Sequence, residues 1–122
     1  MVEIKPLFGG ELKKILSEKA LSGQDICALQ ALEKGERTGV IIYEPLKFVC
    51  EIRLINLQNA EDEALLDGLI RAVGAVCEKL HLHLITCMGA EYAGVLQKIG
   101  FINKNGKLII ETDKLAGDCC GV

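Results

Sequence analysis

The stretch from residue 47 to residue 66 constrains the fold most, because it places a strand, a short acidic loop and a helix start in direct succession. Apolar and β-branched residues dominate 48–57, which predicts a strand. Asn59 is a favoured N-cap, and the acidic residues that follow suit a first helical turn. Apolar residues then recur at helical spacing as far as Leu80. The sequence therefore predicts an amphipathic helix packed on a sheet.

The other segments extend this alternation of strands and helices. Residues 2–7 alternate apolar and charged side chains, which predicts a strand, and an amphipathic helix is predicted after Gly9-Gly10. Residues 25–33 could form a helix, but the turn at 34–37 and the β-rich run at 38–43 favour a hairpin. A short strand, a compact helix and a final strand or hairpin are predicted at 82–88, 91–99 and 101–112.

The chain has 122 residues, half of them apolar, which fits one domain at 1–112 followed by a tail at 113–122. A formal net charge of −3 provides no basic field that would attract nucleic acid or an anionic membrane. The apolar runs are too short for a membrane span, and the first residues lack a signal peptide's apolar stretch. We expect a cytoplasmic protein without nucleic-acid or membrane partners.

Cysteine is frequent, with six residues, but the pattern does not favour disulfides. Four of the cysteines lie among aliphatic residues inside predicted strands or helices, so reduced core thiols are expected. These four are Cys27, Cys50, Cys77 and Cys87.

The tail contains the pair Cys119-Cys120, and His81 and His83 lie earlier in the chain. Thiolate and imidazole suit zinc or copper(I), so a metal site is one interpretation. Adjacent cysteines lack the two-residue gap that usually lets both thiolates reach one ion. We therefore expect an exposed thiol pair and no metal site.

Two local patterns resemble the GNAT acetyltransferases. Residues 48–57 followed by 64–73 are similar to the strand and helix that flank the family's cofactor loop. VLQKIGF at 95–101 resembles the late motif Tyr-x-Lys-x-Gly-Phe, which Lys98, Gly100 and Phe101 match. The order of predicted elements is also that of the family. The resemblance implies an α/β, single-domain GNAT-like fold with a mixed, largely antiparallel central sheet and helices on both faces.

The resemblance also implies transfer of an acetyl group from acetyl-CoA to an amine, which requires a general base. Glu51 corresponds to the catalytic glutamate that the histone-modifying branch carries on this strand. The apolar neighbours Phe48, Ile52 and Leu54 are expected to favour proton uptake by its carboxylate. The alternative is that Glu51 and Arg53, two residues apart on one strand face, form a solvated or salt-bridged pair.

The family's general acid is the tyrosine of the late motif, and the corresponding residue here is Leu96, which cannot donate a proton. Tyr92 lies one helical turn earlier and is the candidate replacement. The alternative for Tyr92 is a packing role with its ring half-buried. Cys87 is expected to pack and not to catalyse.

The resemblance assigns the cofactor loop to Gln58, Asn59, Ala60, Glu61 and Asp62. In the family, an Arg/Gln-x-x-Gly-x-Gly/Ala segment wraps backbone N–H groups around the CoA diphosphate, and its glycines permit the close approach. The corresponding stretch here lacks glycine and is acidic. Acetyl-CoA is the implied cofactor, and these carboxylates are expected to oppose its binding.

Two functions stay open at this point. The missing glycines and Leu96 favour a small-molecule binding or regulatory module. The alternative is an active N-acetyltransferase with Glu51 as the base and an amine as the acceptor. A homodimer formed through an open sheet edge at 101–112 is a further expectation.

Overall fold

The computed structural model describes residues 2–23, 25–89 and 91–115. Within these ranges strands and helices follow one another in the predicted order. The strands are β1 (Val2–Leu7), β2 (Cys27–Glu33), β3 (Glu36–Pro45), β4 (Val49–Leu57), β5 (Leu84–Cys87), β6 (Ile102–Lys104) and β7 (Lys107–Glu111). The helices are α1 (Gly10–Glu18), α2 (Glu63–Lys79) and α3 (Ala93–Ile99), and residues 112–115 add one helical turn.

All seven strands belong to one sheet, in the order β1-β2-β3-β4-β5-β7-β6. Neighbouring strands are antiparallel except for β4 and β5, which are parallel. The predicted hairpin β2–β3 is present, and the final segment forms the hairpin β6–β7, which was one of its two predicted alternatives. The mixed, largely antiparallel sheet predicted from the sequence is therefore confirmed.

The two faces of the sheet carry separate apolar clusters, because successive side chains of a strand point to opposite sides. The α1 face packs against α1 and is formed by Leu7, Ala28, Val40 and Ile42. The α2 face is larger and packs against α2 and α3. Its strand residues include Leu29, Ile41, Tyr43, Cys50, Ile52, Ile55, Leu57 and Ile85. Helices on both faces are thus confirmed.

An extra residue interrupts the pairing of β3 with β4. Tyr43 pairs with Ile52 and Ile42 pairs with Leu54, so Arg53 has no partner across the ladder. This β-bulge bends β4 at the point where its parallel pairing with β5 also ends, at Ile52. Beyond the bulge, β4 continues without β5 beside it. The result is a gap between two neighbouring strands of the sheet.

The last described residues pack back onto α2. Leu115 is buried, and an added Cβ on Gly74 would lie 2.9 Å from its side chain. The pair Cys119-Cys120 lies outside the described residues. No helix in the described ranges is long and apolar enough to cross a membrane.

The packing of α2 predicts a contrast between two leucines, one in the middle of the helix and one at its C-terminal end. Leu69 is fully buried on the α2 face, whereas Leu80 is largely exposed. We expect Leu69→Ala to lower the free energy of unfolding by about 2–5 kcal/mol, because it leaves a cavity. Leu80→Ala should change it by less than about 0.5 kcal/mol. Urea unfolding measures both, and equal losses would contradict this packing.

Candidate functional site

The gap between β4 and β5 forms a cleft with a volume of about 190 Å³. Its wall is mainly apolar, and two charged residues, Arg53 and Glu91, border it. The lining comes from β4, from the end of β5 and the residues after it, and from the start of α3. The other lining residues are Ile52, Leu54, Ile55, Cys87, Met88, Gly89, Tyr92 and Leu96.

Glu51 lies beside this cleft on the α1 face of the sheet. It pairs in register with Glu44 on β3 and with Thr86 on β5. Because Cys50 and Ile52 point into the α2-face core, Glu51 between them points to the opposite face. Three polar side chains, Glu44, Glu51 and Thr86, therefore stand in a row across three strands.

Arg53 connects two of these side chains to the segment that precedes β2. Its Nη1 donates to Glu44 Oε1 at 2.7 Å and to the Ser22 carbonyl at 3.3 Å, and its Nε lies 3.5 Å from Glu51 Oε1. The three side chains are 24%, 13% and 29% exposed for Arg53, Glu44 and Glu51. The salt bridge between Glu51 and Arg53, which was the alternative interpretation of these residues, is therefore present. Glu44 adds a second carboxylate, so the three side chains have a formal net charge of −1.

The apolar wall predicted around Glu51 is wrong. Phe48 is 63% exposed, and Ile52 packs in the core on the opposite face. Of the three predicted neighbours, only Leu54 lies on the α1 face with Glu51, and it follows the bulge. The prediction failed because side chains at odd spacing along a strand point to opposite faces, so that Phe48, Ile52 and Leu54 would all lie opposite Glu51 in a regular strand, and only the bulge brings Leu54 to its face.

Tyr92 and Leu96 occupy the part of the cleft next to α3. Tyr92 is the N-cap residue of α3 and is buried, and its carbonyl accepts from the Leu96 N–H at 3.0 Å. Leu96 is fully buried. Both residues line the cleft. Leu96 occupies the position to which the resemblance assigns the family's tyrosine. A catalytic role for Tyr92 stays a prediction.

Cys87 lies at the end of β5 and lines the same cleft. Burial, and then the negative charge of Glu51, raise the pKa of its thiol above the ordinary value. The thiolate is therefore disfavoured, in agreement with the packing role expected for this residue.

The loop assigned to the cofactor contains the N-terminal cap of α2. Asn59 was predicted to be that cap, and this prediction is wrong: the cap is Asp62, whose Oδ1 accepts from the Leu65 N–H at 3.0 Å. Asn59 instead closes a tight turn before the helix. Its Oδ1 accepts from the Glu61 N–H at 3.0 Å and its carbonyl accepts from the Asp62 N–H.

Other amides around this loop are also engaged within the chain. The Gln58 N–H donates to the Thr38 carbonyl at 2.8 Å, and the Glu63 N–H donates to the Glu61 carbonyl at 2.9 Å. Ala60 lies inside the turn and is exposed. The loop therefore carries carboxylates at the positive end of the helix dipole and directs much of its hydrogen bonding inward.

Lys98, which matches the lysine of the family's late motif, pairs with Glu63 across the groove between α3 and α2 at 3.3 Å. Both side chains are largely exposed. The positive charge of Lys98 is therefore balanced by Glu63, the first residue of α2, directly after the loop.

The sequence analysis missed Glu44 and the position of the bulge. A signal for the bulge was available in the sequence: the polar residues of this strand, Glu51, Arg53 and Asn56, follow at spacings of two and then three. A step of three in a strand indicates an inserted residue. Glu44 was harder to identify, since only the register places it beside Glu51.

The metal interpretation has no support among the residues that the structure describes. Within 2–23, 25–89 and 91–115, no three histidine, cysteine, aspartate or glutamate side chains are grouped so that they could hold an ion. Cys119-Cys120 falls outside those ranges.

Solved structures with a similar fold include acetyltransferases and a chain of a complex with DNA. The ribosomal-protein-S18-alanine N-acetyltransferase from Escherichia coli has a TM-score of 0.73 at 12% identity, covering 92% of this chain and 94% of its own. A GNAT family acetyltransferase from Elizabethkingia anophelis with acetyl-CoA bound has a TM-score of 0.68 at 15% identity, covering 90% and 97%. A chain of the KacTA-DNA complex has a TM-score of 0.73 at 10% identity, covering 100% of both.

No family model matches the sequence, and no curated protein matches it. The likeness is therefore one of fold at identities of 10–15%.

The ion-pair network predicts that Arg53 matters more to stability than an exposed arginine does. We expect Arg53→Ala to lower the free energy of unfolding by about 1–3 kcal/mol, because Glu44 and Glu51 then face each other without a counter-charge. Arg37→Ala is the matched control, since Arg37 pairs with an exposed glutamate, and it should cost less than about 1 kcal/mol. Chemical denaturation at neutral pH measures both, and an equal cost would contradict the network.

The raised pKa of Cys87 predicts an alkaline loss of stability. A thiol whose pKa is higher in the folded state stabilises the fold below the unfolded value of about 8.5, and this contribution is lost as pH rises above it. Cys87→Ala should therefore flatten the fall in the free energy of unfolding at alkaline pH, by up to about 1.4 kcal/mol per pH unit. If the free energy of unfolding of Cys87→Ala fell with pH as steeply as that of the parent protein, the raised pKa assigned to Cys87 would be contradicted.

Proposed function

We propose, from the premise that this chain has the GNAT fold, that it is a small-molecule binding or regulatory domain whose ligand occupies the cleft between β4 and β5. In this proposal the domain does not hold CoA in the family's manner. The gap between the strands keeps its position, while the diphosphate anchor beside it is replaced by an acidic, self-capped helix start.

The hydrogen bonding at the N-terminus of α2 carries this proposal. A diphosphate is held by free backbone N–H groups at a helix N-terminus. Here the Asn59 and Asp62 side chains accept from the N–H groups of Glu61 and Leu65. A diphosphate would have to break these internal hydrogen bonds before it could form its own. The loop does not fit the group.

Charge opposes the diphosphate as well. Glu61, Asp62 and Glu63 surround the positive end of the helix dipole, which they already stabilise. Lys98, the nearby cation of the late motif, is paired with Glu63 at 3.3 Å. A second anion at this place would meet like charges and would compete for an occupied lysine.

The cleft itself supports a ligand of small size. Binding pockets are mostly apolar, with a few polar groups that fix orientation, and they measure about 300–1,000 Å³ for drug-sized ligands. This cleft of about 190 Å³ has apolar walls, with Arg53 and Glu91 at its border. Its volume suits a ligand smaller than a typical drug. The net charge of −3 favours such a ligand over a nucleic-acid partner.

An active N-acetyltransferase is the second candidate, favoured by the bulge at Arg53 and by the partly exposed Glu51 beside the cleft. A structural neighbour has acetyl-CoA bound. In this candidate Glu51 accepts the proton of an acceptor amine, after its carboxylate leaves Arg53. Leu96 supplies no proton, so Tyr92 would have to do so.

A mutation that fills the cleft tests whether the ligand binds there. Gly89 lines the cleft, and nothing lies within 4 Å of an added Cβ there. Gly94 has equal space, but it lies on α3 and does not line the cleft. Small molecules identified by a protein-observed NMR screen should bind Gly89→Phe at least about tenfold more weakly, roughly 1.4 kcal/mol, and Gly94→Phe unchanged.

Two results would contradict the binding-domain proposal. One is that the ligands bind Gly89→Phe as tightly as they bind the parent protein. The other is turnover of acetyl-CoA with an amine that Glu51→Gln abolishes while the fold is retained, and this result would establish the second candidate.

A further inference from the structure

Thr86 carries a buried hydroxyl without a hydrogen bond. The residue is 6% exposed, and its Oγ1 has no partner in the part of the chain that the structure describes. The other buried threonine, Thr112, donates from its hydroxyl to the Leu82 carbonyl at 2.8 Å. Buried hydroxyls are nearly always paired, so Thr86 requires a partner within reach.

Glu51 is the acceptor that the sheet places beside Thr86. The two residues pair in register between the parallel strands β4 and β5. Their neighbours Cys50 and Ile85 both point into the core of the α2 face, so Glu51 and Thr86 point together to the α1 face. Adjacent strands lie about 4.8 Å apart, a distance that a glutamate side chain spans.

The contact between Glu51 and its ion-pair partner Arg53 is long. Arg53 Nε lies 3.5 Å from Glu51 Oε1, whereas Arg53 Nη1 lies 2.7 Å from Glu44 Oε1. The guanidinium therefore stays paired with Glu44 when Glu51 turns away. A short rotation would exchange a long ion-pair contact for a hydrogen bond from a hydroxyl that has none.

We propose that Thr86 is a positioning residue for Glu51, whose carboxylate accepts a hydrogen bond from the Thr86 hydroxyl when it turns from Arg53. One carboxylate oxygen is then fixed by Thr86, and the other is free to accept from a donor at the cleft. This role deepens the proposed function, on which its relevance to a ligand rests, but the hydrogen bond itself can be measured without any ligand.

The experiment compares the side-chain carboxyl ¹³C resonance of Glu51 in three variants by NMR. Thr86→Val removes the hydroxyl at nearly constant shape and should shift the resonance, whereas Thr86→Ser should retain the position found in the parent protein. Thr38→Val is the matched control, because Thr38 donates to the Ala31 carbonyl at 3.4 Å, away from Glu51. It should leave the resonance unmoved.

A double-mutant cycle in urea gives the second measurement. Thr86→Val and Glu51→Met, singly and together, should show a coupling of about tenfold in the unfolding equilibrium constant, roughly 1.4 kcal/mol. An unmoved Glu51 resonance in Thr86→Val, or a coupling below about twofold, would overturn the proposal. Either result leaves the ligand screen and the Gly89→Phe comparison unaffected, so the two proposals fail independently.

Discussion

The single inserted residue in β4 is the constraint on which the rest of the site depends. Because Arg53 has no partner on β3, the strand bends there. Residues beyond Ile52 therefore face the opposite side of the sheet from the one that regular alternation would give. The same point ends the pairing with β5, which opens the cleft. The guanidinium of the inserted residue then lies between Glu44 and Glu51. Cleft and polar cluster thus have one structural origin.

The start of α2 is the feature on which the proposal of a domain without the family's diphosphate site rests. The helix begins at the place where the fold's relatives are expected to hold a diphosphate, and Asp62 caps it with its own carboxylate. That cap stabilises the helix by about 1 kcal/mol and removes the need for an external anion. The cleft, which is lined by the strand that leads into this loop, has a mainly apolar wall. Fold alone therefore does not assign the activity.

Much of the fold could be predicted from the sequence, because periodicity reports which side of an element is buried. The alternation in β1 and the helical spacing of α2 were sufficient to place both elements. The cap was misplaced because Asn59 and Asp62 are both good cap residues, and only tertiary geometry separates a turn from a helix start.

The site was less accessible, since its key contacts join distant segments. Thr86 is an ordinary strand residue until the parallel register sets it beside Glu51. Glu44 likewise becomes part of the site only through the register of β3 with β4 and the hydrogen bond that it accepts from Arg53. These contacts arise from register and burial together, and a single sequence encodes neither directly.

The central claim is that the self-capped, acidic start of α2 excludes the CoA diphosphate. Calorimetry of acetyl-CoA with the full chain at moderate salt tests it most directly. We predict no binding at millimolar ligand, a free energy of binding weaker than about −4 kcal/mol. Micromolar binding, roughly −8 kcal/mol, would contradict it, because the hydrogen bonds of the Asn59 turn and of the Asp62 cap would have to break for a diphosphate.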